Sequence, residues 1–306
     1  MWRCEACGGG YLNPRPTPAS IHEAYRSYYT HQAAVGVAEE QASTGFQRLR
    51  LRLANGYMRE RHGLQREPAS PFGAWAAALM PGKREALDHI CRHLPKPPPG
   101  ATLLDVGCGS GSFLLTARQC GWHVLGVEPD PKAASQAAAL GLEVMTGDIQ
   151  VLADRAQAFD AITLSHVIEH VHEPRAVLED CFRLLRPGGL LWLETPNVDS
   201  RGHRLFGTQW RGLESPRHLV LFSRRGLQCA LEGAGFKGIQ PQAAPNPLLW
   251  MARQSEAMAQ GLMPGAPVQL SWRLRLQVLW AAYRHRAGMD AADTEFLTWT
   301  AQKPPG

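Results

Sequence analysis

The sequence predicts an α/β fold in which a doubly wound, mainly parallel sheet carries helices on both faces. Three observations lead there. Residues 101 to 243 alternate short apolar runs with helix-like stretches over brief connections, the pattern of repeated strand-helix-strand units. The first run, LLDVGCGSGSFLL from Leu103 to Leu115, closes on an acidic residue and passes through three alternate glycines into a helical start. Carboxylates then recur at successive strand ends, as Asp105, Glu128 and Asp148.

The elements follow in order. Residues 1 to 32 form a cysteine-, glycine- and proline-rich head, CEACGGGYLNPRPTPASIHEAYRSYY, with a helix capped by Ser20 and running to Tyr29. Residues 33 to 100 read as a helical cap and linker. Their helices end in REALDHICRHL, which places Ala86, Leu87, Ile90, Cys91 and Leu94 on one face, and PKPPPG then delivers the chain, too stiff to be helix, to the first strand. In that strand Asp105 stands at the C-terminal end. Gly107, Gly109 and Gly111 let the backbone pass close beneath a ligand where a Cβ would collide, and Cys108 is a small spacer between them. The helix opening near Ser112 offers free N–H groups to an anionic ligand. The spacing is G-x-G-x-G, with Ser112 where the dinucleotide pattern G-x-G-x-x-G has its third glycine, which tilts the turn away from nicotinamide and flavin cofactors.

A second strand in WHVLGVEPD places Glu128 where a carboxylate can accept both hydroxyls of a ribose, and a third in EVMTGDIQ ends near Asp148. FDAITLSHVIEHVHEP gives a fourth, closing at Ser165 and running into His166, Glu169 and His170; LLRPGGLLWLETPN gives a fifth. FKGIQPQAA and TEFLTWTAQ supply two further strands, with residues 244 to 290 inserted between them. Within that insertion, 269 to 286 carry leucines and tryptophans all round a helix with arginines in two stripes; core or lid packing is the first reading, a membrane-surface or partner-binding helix the second.

Taken together, the block from Leu103 onward, the CxxCG and NPRP head and the element WRGLESPRHLVLFS resemble a bacterial branch of the class I S-adenosylmethionine (SAM)-dependent methyltransferases. The resemblance implies a Rossmann-like sheet of seven strands, in which the last strand inserts antiparallel between the fifth and sixth. It assigns the methionine end of SAM to Asp105, Gly107, Gly109 and Gly111, the ribose to Glu128 and the adenine to Asp148 with Ile149 beside the ring; Cys108 and Ser165 border the same pocket. His166, His170 and His218 fall at the catalytic edge, where an imidazole can take the proton of an acceptor hydroxyl. Each of the three can also serve only to hold a loop. Trp210 and Arg217 would wall the acceptor pocket or pin their own loop to the sheet. The implied acceptor is a small molecule or saccharide-type compound, methylated at oxygen. A non-catalytic SAM-binding partner protein and a nicotinamide oxidoreductase are the competing readings.

No metal is expected. Similar enzymes bind a divalent cation through a glutamate where this chain has His166, and H-x-x-E-H here follows a strand rather than lying on a protease helix. Cys4 and Cys7 form half of a zinc site; the other half would lie upstream or come from His22 and His31, and the reading taken is that no complete site exists.

Composition bounds the rest. At 306 residues and 44% hydrophobic, the chain can bury one full α/β core with appendages. A net charge of +5 without a block of like charge gives no nucleic-acid signature. Seven cysteines, an odd number and scattered, point to a reducing compartment, and no secretory signal or apolar run of membrane-spanning length is present. These observations predict a soluble cytoplasmic protein; oligomeric state is not legible.

Overall fold

The computed structural model of the protein describes residues 1–25, 44–263, 265–286 and 293–306. The head contributes β1 (Trp2–Arg3) and β2 (Gly10–Tyr11), then a 3-10 turn at Ile21–Tyr25; the rest of the helix expected to Tyr29 lies outside the described residues. Three helices follow, α1 (Gly45–His62), α2 (Gly73–Ala78) and α3 (Pro81–Ile90). Thr44 caps α1 with a reciprocal Gln47 contact, and Gly63 ends it in the left-handed conformation. α3 stops at Ile90 because Arg92 and His93 take φ of 49° and 54°, so the helical face expected through Leu94 is broken: Cys91 and Leu94 are buried but Ile90 is exposed.

The central unit runs β3 (Thr102–Val106), α4 (Ser112–Gln119), β4 (His123–Glu128), α5 (Pro131–Ala139), β5 (Val144–Thr146), β6 (Phe159–Ser165), α6 (Pro174–Leu184) and β7 (Leu185–Pro196). α7 (Arg201–Phe206), β8 (Val220–Leu221), α8 (Arg224–Gly233), β9 (Lys237–Pro241), α9 (Leu248–Ala259), α10 (Trp272–Arg286) and β10 (Phe296–Gln302) complete it. The seven-stranded sheet has the order β5-β4-β3-β6-β7-β10-β9, with β10 antiparallel to both neighbours and seated between β7 and β9, as the family resemblance implies. β1, β2 and β8 form a second, three-stranded sheet that ties the head to the segment after Arg217.

Strand alternation decides what each face receives. Leu104, Val106, Ile162, Leu164, Leu191 and Leu193 enter one core layer. Leu103, Ala161 and Trp192 point the other way, toward a layer shared with Tyr57, Met58 and Leu94 of the N-terminal helical region. By the same period of two, Asp105, Thr163 and Glu194 face those helices, and this brings Arg92 and His89 into the site.

Candidate functional site

At the β3 turn all three glycines take positive φ (67°, 54° and 84°), which any other residue would adopt only with strain. What surrounds them differs. A Cβ at Gly107 would meet Val167 Cγ2 at 2.5 Å, and one at Gly111 would meet Leu142 Cδ1 at 2.4 Å, whereas one at Gly109 would meet nothing within 4 Å. This corrects the expectation that all three make room for a ligand: Gly107 and Gly111 make room for protein, and Gly109 opens onto free space. Cys108 is a buried spacer, its thiol pKa pushed up by burial.

Asp105 is fully buried. Its Oδ1 accepts from Thr163 Oγ1 at 2.8 Å and from Arg92 Nη1, which also donates to Thr163 Oγ1 at 2.7 Å; Oδ2 is buried without a hydrogen-bond partner. Burial raises the carboxyl pKa, and Arg92, held 3.7 Å above the Phe113 ring, opposes that rise. Glu128 uses its carboxylate to shape the turn, accepting from Gly109 N at 2.8 Å and from Asp130 N at 2.9 Å. Each oxygen keeps a second lone pair for a hydroxyl. Asp148 is exposed and caps the 3-10 turn Ile149–Leu152 by accepting from Gln150 N. Ile149 is 2% exposed and packed in the core, so its side chain is a corrected expectation: it has almost no surface to offer a ring. Ser165 ends β6 half-buried at the same edge.

Beyond Ser165 the chain turns sharply, His166 taking φ of 54°. His166 Nδ1 lies 3.2 Å from Glu169 Oε1 and its Nε2 3.5 Å from Glu194 Oε1. Burial opposes its charge, yet the hydrogen bonds to these two carboxylates raise its pKa to about 10. Burial likewise works against the Glu169 charge, but His166 and the neighbouring imidazoles hold that carboxyl down at about 2. Against its burial, Glu194 is also held well below the usual range by His166 and by His89, whose Nε2 lies at 2.7 Å; Thr298 Oγ1 donates to it at 2.6 Å. A histidine already protonated at neutral pH is no proton acceptor, which argues against the expected base role of His166; it is a fixed cation between two buried anions.

His170 and His218 sit edge to face, ring centroids 4.7 Å apart, with Glu169 beside them. His170 is half-buried. Its Nδ1 lies 3.2 Å from the Arg217 carbonyl, which can only accept, and 3.0 Å from Tyr25 Oη, so the carbonyl favours a hydrogen on Nδ1. His218 is 4% exposed, its pKa lowered by burial to about 4 and its Nδ1 2.8 Å from Gly212 O. Arg217 donates through Nε to Glu214 at 3.0 Å and through Nη1 to Ala24 O at 3.2 Å. Trp210 is the clearest correction: it has no exposed surface, donates to Glu295 at 2.9 Å and stacks on His203, so it holds the loop and does not wall a pocket.

Among the described residues, Glu169, His170 and His218 form one group whose ligand atoms lie within 4.8 Å of one another, close enough to hold a metal ion. Cys4 and Cys7 stand on the β1–β2 turn; of the histidines named beside them, His22 is on the 3-10 turn and His31 lies outside the described residues. Sequence reasoning missed Arg92, His89, Tyr25 and Glu194. None was singled out by its motif, and the available signal for Arg92 was a polar pair, Arg92 and His93, interrupting an amphipathic helix.

A family model for the methyltransferase domain matches residues 80–240, more than half of the chain. The chain belongs to this methyltransferase-domain family. The region shared with curated relatives is shorter. A ubiquinone biosynthesis O-methyltransferase of Xylella fastidiosa is 36% identical over 121 residues, covering 36% of this chain and 47% of that protein. The protein of the same name from Caulobacter vibrioides is 38% identical over 106 residues, covering 32% and 42%. The chain thus spans about half the length of the curated relatives it matches. Among solved structures, a SAM-dependent methyltransferase of Archaeoglobus fulgidus superposes with a TM-score of 0.50 over 70% of this chain and 91% of that one; at 18% identity the likeness is one of fold. The methyltransferase domain therefore contains the whole glycine turn and the His166–His218 edge, while the head and the α9–α10 insertion lie outside the matched span.

Proposed function

We propose that the protein is a SAM-dependent methyltransferase that methylates a hydroxyl of a small-molecule or saccharide-type acceptor. The observation that carries this reading is the unfinished coordination at the sheet's carboxyl edge. Asp105 Oδ2 is buried without a partner, Gly109 faces open space, and Glu128 on the adjacent strand keeps lone pairs beyond the two N–H groups it accepts. These residues fit the cofactor: Asp105 would hold the methionine ammonium, Gly109 would let the backbone approach, Glu128 would accept the ribose hydroxyls, and exposed Asp148 would meet the adenine amino group. When bound, SAM supplies a methyl group on a sulfonium, so catalysis rests on positioning and on removal of the acceptor's proton. His170 is the base, taking that proton at Nε2, while Arg217 O and Tyr25 fix its tautomer. His218, behind it, positions the ring. The relatives' O-methyltransferase names support oxygen as the accepting atom.

One observation favours a second reading of the same edge. Glu169, His170 and His218 could hold a divalent cation that polarises the acceptor oxygen, His170 then being a ligand and not a base. Calorimetry with SAM and NADH, followed by methyl transfer onto hydroxyl acceptors with and without EDTA, separates the cases. SAM binding without NADH binding, and turnover that survives EDTA, are expected. Loss of turnover in EDTA with recovery on adding Mg²⁺ or Zn²⁺ selects the cation, and SAM binding with no turnover on any hydroxyl acceptor returns the protein to a binding partner.

A further inference from the structure

The insertion before the last strand presents a surface that methyl transfer does not require. α10 docks through one face: Val278 and Ala281 are buried against Leu248 and Ala252 of α9, with Leu274 packed beside them. On the opposite side Trp272, Leu276, Leu279, Trp280 and Tyr283 are 48 to 68% exposed. At about 100° per residue these five positions fall within a stripe roughly 100° wide, so the outward face is as continuous as the buried one. Trp280 and Tyr283 stack on each other there, ring centroids 5.5 Å apart. Singly exposed apolar residues are ordinary on a protein surface, but an aromatic-rich stripe along a whole helix is not.

Charge chooses the occupant. The helix positions of Arg273 and Arg275 flank the stripe on its two sides, and no acidic residue occurs between Glu256 and Asp290. A second copy of the chain pairing along this stripe would bring arginines against arginines with no acidic residue of the helix between them. An anionic lipid surface complements both: the indole, phenol and leucine side chains enter the boundary of the acyl chains while the arginines reach the headgroup phosphates. Among the described residues no helix is long and apolar enough to cross a membrane, so the helix can lie on a bilayer but not span one. We propose that α10 is a membrane-surface anchor for anionic bilayers, embedding the Trp272–Tyr283 stripe in the interface. The anchor is joined to the acceptor edge: α9, on which α10 rests, accepts the Arg211 N–H at Ser255 Oγ, and Arg211 pairs with Glu214, the partner of Arg217.

The test is sedimentation of the full chain with vesicles of phosphatidylcholine alone and of phosphatidylcholine mixed with phosphatidylglycerol, at low and at high salt, alongside gel filtration. The parent protein is expected to sediment with the anionic vesicles at least about tenfold better than with neutral ones, and less well as salt screens the arginines. The double variant Leu276→Ser, Trp280→Ser should lose at least about tenfold in partitioning with its melting temperature unchanged, because both side chains are exposed. Arg273→Glu with Arg275→Glu should abolish the preference for anionic over neutral lipid. The proposal is overturned if the parent fails to sediment with anionic vesicles at low salt, or if the serine variant sediments equally well. A parent dimer that the serine variant converts to monomer, without vesicle binding by either, overturns it in favour of self-association.

Discussion

Glu128 holds the cofactor turn through Gly109 and Asp130, partners 19 and 2 residues away, whereas His170 is held by Arg217 and Tyr25, 47 and 145 residues away. The two halves of one sheet edge are thus assembled by different means. At the first, a strand end and the turn after it fix most of the geometry through backbone N–H groups. The second exists only once the head, the loop after β7 and the turn after β6 have met. A local device survives substitutions elsewhere; a tertiary one depends on every contributor, so substitutions should separate the halves by what they damage.

The largest effect is expected at the tertiary half. His170→Ala should lower the turnover number by about 10² to 10⁴, the range of general-base catalysis, while SAM affinity stays near the parent value. A comparable loss of SAM affinity in calorimetry would mean that the two halves are not separable. At the local half, Gly109→Val puts a branched side chain into the open space and should weaken SAM by about 10² or more, with the protein still folded by circular dichroism. Gly107→Ala, which meets Val167, should instead lower the melting temperature more than the affinity. The reverse pattern would undo the assignment of Gly109. Glu128→Gln should weaken SAM by roughly tenfold, since charge-assisted bonds to the ribose contribute about 1.5 to 3 kcal/mol and the amide can replace only part of them. Unchanged affinity would place the ribose elsewhere.

The smallest effect concerns the Trp210 loop, which supports the acceptor half without touching a ligand. Glu295 accepts from Trp210 and Gly202 N, and burial raises its pKa to about 7 against the pull of those donors and of Arg204. The folded state therefore holds this proton more tightly than the unfolded chain, so stability present near pH 4.5 is lost as pH rises toward 7. Glu295→Gln should remove that slope and, because both carboxylate oxygens accept N–H groups while the amide can accept only one, should be less stable than the parent at pH 5, the deficit shrinking by pH 8, with an unaltered KM for acceptor. Denaturant unfolding at pH 5 and pH 8 checks both the sign and the window.

How much was legible follows the same division. The alternation of strands and helices and the carboxylates near three strand ends were readable because period, turn chemistry and sequence neighbourhood specify them, while the place of the antiparallel last strand came from the family resemblance. Why Gly107 and Gly111 are glycine was not, since Val167 and Leu142 reach them from other elements. Trp210 and Ile149 were misjudged for a related reason: a large apolar residue in a loop motif looks available to a ligand until the core that claims it is seen. Arg92 and His89 carry no motif at all. They enter because Asp105 and Glu194 share a strand face with the N-terminal helices, a fact of packing that no window of sequence contains. The small sheet escaped because two-residue strands have no periodicity to read.

That small sheet has a consequence for the order in which the protein is made. Trp2–Tyr11 precedes every strand of the large sheet in the chain, yet its partner strand Val220–Leu221 follows only after β3 to β7 have been synthesised. Asp105, Glu128 and Asp148 also precede that partner strand, so the head can pair only after their strands have been synthesised. The same late segment supplies the backbone N–H of Leu219 and Val220 to the Glu169 carbonyl. Domains fold as units during synthesis, N-terminal parts first, but these head strands cannot pair with β8 until the segment that also reaches Glu169 has been made.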